Sequence, residues 1–180
     1  MNFRMIRRIL GILLIIEAIF MIPPFLISVY YGQQDMYAFL LSILFTGITG
    51  FTMYKLKVKN TTIKVRDALA IATFGWLIIS FFGALPFVFS RSIPSLVDAF
   101  FETVSGFTTT GATLVNHLED MPKSILFWRS FTHWIGGMGI LVFTVAFLPA
   151  MGVGSFQIFK AESPGPIADR LVPRIKDSAK

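Results

Sequence analysis

Cysteine is missing from the sequence altogether, which excludes disulfide bridges and thiolate metal sites and leaves the redox compartment open. Charge is scarce as well: 14% of the 180 residues are Asp, Glu, Lys or Arg, against 54% that are hydrophobic. Soluble domains carry about 25% charged residues, so this balance is that of an integral membrane protein. Histidine is limited to His117 and His133, and these show no ligand or catalytic spacing with Glu102 or Glu119, so no enzyme is expected. No small-x-small exit follows the first apolar run, so that run is expected to stay as a span rather than be cleaved as a signal peptide. The net charge of +6 does not point to nucleic acid, because the basic residues gather beside the apolar runs.

Four apolar runs approach the ~20 residues needed to cross a bilayer. They cover about Ile9–Val29, Met36–Tyr54, Ala68–Phe89 and Ser124–Leu148. Arg4, Arg7 and Arg8 precede the first; Lys55, Lys57, Lys59, Lys64 and Arg66 follow the second; Lys160, Arg170, Arg174, Lys176 and Lys180 follow the fourth. Basic residues stay on the cytoplasmic side, so the N-terminus, the Lys55–Asp67 loop and the tail are predicted to be cytoplasmic. The Gln33 loop and the segment between the third and fourth runs then face outwards.

That outer segment holds a stretch too short to cross. Ser95 with Asp98 three residues on fits a capping box after Pro94, and predicts a helix from Ser95 to Gly106. Its C-terminal end would point into the membrane, where the negative end of its dipole favours a cation. Next comes Phe107-Thr108-Thr109-Thr110-Gly111-Ala112-Thr113. A Thr-rich run closed by one Gly, entered from a short helix and left towards a span, has the layout of an ion-selectivity filter built from backbone carbonyls. The competing interpretation is a re-entrant loop with no ion in it. The residue types alone leave both open.

Three further features stand inside the spans. Arg129 and His133 lie four residues apart on one helical face. Arg129 either turns to the protein interior or snorkels to the outer interface, and a packed, hydrogen-bonded His133 is favoured over a metal ligand. Glu17 is read as a carboxyl kept neutral or paired with a polar neighbour, ahead of a proton or cation relay. Gly47 and Gly50 are read as packing positions between helices. Beyond the spans, Ile167, Leu171 and Ile175 at i, i+4 and i+8 predict an amphipathic helix in the tail.

The run Asp98–Thr113 resembles the first pore loop of Trk-type potassium uptake proteins. Trp128-Arg129-Ser130 through His133-Trp134-Ile135-Gly136-Gly137-Met138-Gly139 resembles the helix after it, and Lys160–Pro166 resembles the linker between repeats. The motifs occur in family order and span essentially the whole chain. The resemblance implies an all-α integral membrane protein with four membrane–pore-loop–membrane repeats in one chain and an extra pair of spans in front. Residues 1–67 would be that N-terminal pair with its basic loop. Residues 68–150 would be the first repeat of a potassium-channel-like fold, and 151–180 an amphipathic cytoplasmic linker. No second filter-like loop occurs, so the chain is expected to be the N-terminal part of such a transporter. The resemblance further implies potassium bound at Thr109, Thr110, Gly111 and Ala112, with Ser95, Asp98 and Glu102 supporting the pore helix. Potassium is the expected ion, with sodium or protons as candidate coupled ions. A cytosolic nucleotide-binding regulatory subunit, a full-length homodimer and a bacterial or archaeal cytoplasmic membrane are also implied. Rival expectations are a homotetrameric single-repeat channel and a non-conducting membrane module.

Overall fold

The computed structural model describes residues 2–55, 65–115 and 118–147. Every regular element among them is helical. The predicted tail helix, most of the Lys55–Asp67 loop and His117 lie outside the described residues. Met1–Leu141 form one compact unit; the remainder, Val142–Lys180, contributes the last turns of the final helix.

The first span consists of two helices, α1 (Phe3–Phe20) and α2 (Ile22–Tyr30), rather than one. Pro23 and Pro24 have no N–H to give and their rings crowd the turn before them, so the helix resets at Met21. Asn2 caps α1 by accepting from the Met5 N–H at 3.3 Å, and the Asn2 N–H donates to Asp67 Oδ1 at 2.9 Å. α3 (Met36–Tyr54) matches the second predicted span. The third resets as well: α4 (Val65–Gly83) gives way to α5 (Leu85–Phe89) at Ala84, just ahead of Pro86. α6 (Leu96–Phe107) follows, shifted one residue on from the predicted short helix, and then a 3-10 turn at Leu118–Asp120. α7 (Lys123–Phe147) is long enough, at 25 residues and ~1.5 Å per residue, to span a bilayer. Three helical stretches, Phe3–Tyr30, Met36–Tyr54 and Arg66–Phe89, are both long and apolar enough to cross a membrane.

α1 and α3 meet closely because both are small at the crossing. A Cβ on Gly11 would stand 2.7 Å from the Gly50 carbonyl oxygen, and one on Gly50 would stand 2.9 Å from that of Gly11. Gly50 is thus a packing position, as read. The break at Ala84 has a second consequence. Phe87 bonds to Ala84 instead of Gly83, so the Gly83 carbonyl is left over and accepts the indole N–H of Trp128 at 2.9 Å. Trp128 is fully buried, in a core with Met21, Phe39, Phe87, Ala99 and Ile125 that joins α3, α5, α6 and α7. At the predicted outer end, buried Asp35 accepts from Ser28 at 2.9 Å and from Ser124, which fastens α2 and α7 to the start of α3.

Candidate ion-binding loop

α6 starts as its sequence predicts. Ser95 is extended (φ −75°, ψ 122°) and its hydroxyl oxygen accepts the Asp98 N–H at 3.4 Å. The Asp98 side chain stays exposed in the first turn, where a carboxylate complements the helix dipole. One face of the helix, Ala99, Glu102, Thr103, Ser105, Gly106 and Phe107, is buried.

The far end of α6 shapes the loop. The Thr109 N–H reaches back to the Gly106 carbonyl at 2.9 Å and the Thr110 N–H to the Ser105 carbonyl at 3.0 Å. This pair of bonds ends a helix by turning the next residue left-handed, a place usually held by glycine. Here it is Thr109, at φ 56°. Such a conformation costs a residue with a Cβ of order 1–3 kcal/mol and persists only where its surroundings impose it. Gly111 is left-handed too, at φ 77°, and Thr110 between them is not. The Gly111 N–H also points at the Ser105 carbonyl, at 3.4 Å. In a trans peptide the carbonyl of one residue points opposite to the N–H of the next. With the N–H groups of Thr110 and Gly111 turned to α6, the carbonyls of Thr109 and Thr110 are turned away from it. Thr108 to Leu114 are exposed. The Ala112 carbonyl instead accepts the Ser105 hydroxyl at 2.5 Å.

Glu102, 2% exposed, holds the outgoing limb. Its Oε2 accepts from the Thr113 hydroxyl at 3.1 Å and the Leu114 N–H at 3.2 Å, while Oε1 accepts from Arg129 Nε at 2.5 Å. Arg129 therefore turns inwards to an ion pair and does not snorkel. His133 Nδ1 lies 3.0 Å from the Arg129 carbonyl oxygen, the packed and bonded role expected of it. α7 also seats the end of α6 closely. A Cβ on Gly136 would stand 2.6 Å from the Phe107 carbonyl carbon, so only glycine fits.

The structure thus gathers Ser95, Glu102, Thr109, Thr110, Gly111 and Ala112 into one helix–loop unit. Sequence reasoning missed Ser105, and Arg129 as the partner of Glu102. The Arg129 pairing had a signal, since an Arg and a Glu in neighbouring apolar segments need each other. Glu17 lines a small cavity together with Phe107, at the end of α6. It is buried beside Gly83, and neither carboxyl oxygen has a hydrogen-bond partner, so of the two roles expected of it the pairing with a polar neighbour is not found.

Long apolar helices flanking a short capped helix and an irregular loop define a membrane protein that is all helical among the described residues. Residues 31–180 match the family model for TrkH, cation transport protein, and the chain belongs to that family. It is 40% identical over 183 residues to the Trk system potassium uptake protein TrkH of Halomonas elongata, and 41% identical over 187 residues to that of Escherichia coli. Both matches take in 100% of this chain and 38% of the relative, so the chain spans well under half the length of these relatives. An uncharacterized cation transporter of Methanocaldococcus jannaschii is 41% identical over 158 residues, covering 88% of this chain and 33% of the relative. The crystal structure of the potassium transporter TrkH from Vibrio parahaemolyticus superposes with a TM-score of 0.79 at 36% identity, over 89% of this chain and 36% of that one.

Proposed function

We propose that this chain supplies one wall of a potassium pathway through a membrane, as the N-terminal part of a Trk-type uptake transporter. Residues 1–67 form its leading helix pair, 68–150 its first membrane–pore-loop–membrane repeat and 151–180 a cytoplasmic linker. Potassium binds at the carbonyls of Thr109 and Thr110, with Gly111 and Ala112 completing the loop. The observation that carries this is the turn of the Thr109 and Thr110 carbonyls away from α6 in a stretch of exposed residues. Carbonyl dipoles presented this way replace the water shell of a cation. The negative end of α6, 12 residues long, lies behind them and adds a field of the same sign. No bond is made or broken, so the activity is transport and not catalysis. The N-terminus and the basic loop face the cytoplasm, where the family resemblance supports docking of a nucleotide-binding regulatory subunit and pairing of two complete transporters.

Gly111→Ser tests this. The segment is placed in a complete transporter expressed in cells lacking their own potassium uptake, and growth at limiting potassium is compared with rubidium and sodium flux. A Cβ at φ 77° strains the loop, so the variant is expected to discriminate less between potassium and sodium. Equal growth and equal discrimination would remove Gly111, and with it the loop, from the ion pathway.

A further inference from the structure

Ser105 stands in the last turn of α6, buried, and meets three consecutive loop residues. Its carbonyl accepts the N–H groups of Thr110 at 3.0 Å and Gly111 at 3.4 Å, and its hydroxyl donates to the Ala112 carbonyl at 2.5 Å. Any residue at this position makes the two backbone bonds. The third depends on the side chain. A helical serine normally bonds back to a carbonyl of its own preceding turn; Thr103 does so, donating to the Ala99 carbonyl at 2.7 Å. Ser105 reaches across to the loop instead.

That bond closes a gap in the anchoring. Up to Gly111 the loop is held by backbone N–H groups, and from Thr113 onwards it is held by the Glu102 carboxylate. The peptide plane carrying the Ala112 carbonyl joins Ala112 to Thr113 and lies between these two anchors, in a stretch that is exposed. The bond from the Ser105 hydroxyl sets the direction of its oxygen. The Ala112 carbonyl is thereby kept facing α6, opposite to the Thr109 and Thr110 carbonyls.

We propose that the Ser105 side chain is a positioning group for cation discrimination: by holding the Ala112 carbonyl to α6 it fixes the loop that carries the Thr109 and Thr110 carbonyls. This rests on the reading of Thr109 to Ala112 as the cation-binding loop. An oxygen that swings freely closes around sodium as readily as it opens for potassium. An oxygen held at a set distance and angle has a fixed field and favours one ion size. The hydroxyl thus sets selectivity without touching the ion.

The test uses a complete TrkH-family transporter carrying this segment, reconstituted in vesicles, with the ratio of rubidium to sodium flux as the readout. S105A is expected to lower that ratio about threefold to tenfold, the factor one hydrogen bond carries, and S105T, which keeps the hydroxyl, to restore it. G111S is measured alongside. A wild-type ratio in S105A while G111S shifts it overturns the inference and leaves the cation loop standing. A wild-type ratio in both variants overturns the reading on which it rests. Equal loss in S105A and S105T assigns the effect to packing and also overturns it. Should S105A not reach the membrane, Ser105→Cys, close in shape but a weak donor, takes its place under the same criteria.

Discussion

The Glu102 carboxylate on α6 and the Arg129 guanidinium on α7 form a 2.5 Å ion pair, with the two side chains 1% and 17% exposed. The other oxygen of the same carboxylate holds Thr113 and Leu114. One side chain therefore ties the outgoing limb of the loop to the last long helix. Removing either partner leaves the other charge in a dry setting. Glu102→Gln and Arg129→Gln are each expected to lose about 3–5 kcal/mol. The double variant should lose less than the two single losses combined. Thermal unfolding in mild detergent reads all three, and additive losses would mean that the pair is not coupled.

The cap of α6 can be tested separately. Ser95→Ala removes the acceptor of the Asp98 N–H and is expected to cost about 0.5–2 kcal/mol. Because that helix carries the loop at its other end, potassium affinity in the complete transporter should fall with it. Flux measured against external potassium decides; an unchanged half-saturation would mean that packing alone holds the helix.

Two glycine substitutions should behave in opposite ways. Gly136→Ala places a Cβ 2.6 Å from the Phe107 carbonyl carbon, which is backbone and cannot step aside. A loss of about 1–3 kcal/mol is expected, with altered flux. In Gly47→Ala the new Cβ lies 3.8 Å from the Ala18 Cβ, an ordinary contact. Inside a helix this should be neutral or stabilising by about 0.4–1 kcal/mol. Equal stability of the two variants would refute the close seating of α7 on Phe107.

Glu17 faces a cavity of about 80 Å³ lined by Leu13, Ile16, Phe20, Ile79, Phe107 and Ile135, with no partner for either oxygen. A buried polar group left unbonded costs about 1–3 kcal/mol. Glu17→Met, similar in size and apolar, should therefore raise the unfolding temperature. A lower one would reveal a partner for the carboxyl.

Single-cysteine labelling suits a chain with no native Cys. Cysteine at position 33 is expected to react with a membrane-impermeant reagent in intact cells, and cysteine at position 57 to react only after lysis. Labelling at position 57 from outside would invert the orientation.

The helical segments, the start of α6 and the loop were legible in the sequence because each is a local matter. Apolar run length decides what can cross a bilayer, a Ser–x–x–Asp step after Pro94 starts α6, and a Thr run ending in Gly111 marks the loop. Proline showed where helices are stressed, but not that Ile9–Val29 and Ala68–Phe89 would each reset into two helices. That depended on what could take up the freed backbone groups, such as the Trp128 indole on the Gly83 carbonyl, 45 residues away. Only the tertiary structure decided the rest. Arg129 could snorkel or turn inwards until α6 and α7 were placed side by side with Glu102 between them. The left-handed Thr109, in a place where glycine is usual, follows from bonds at the end of α6 and from Gly136 pressed against Phe107, not from any preference of threonine. Local backbone chemistry is written residue by residue, whereas the partner of a buried charge or a strained turn depends on which distant segment packs against it.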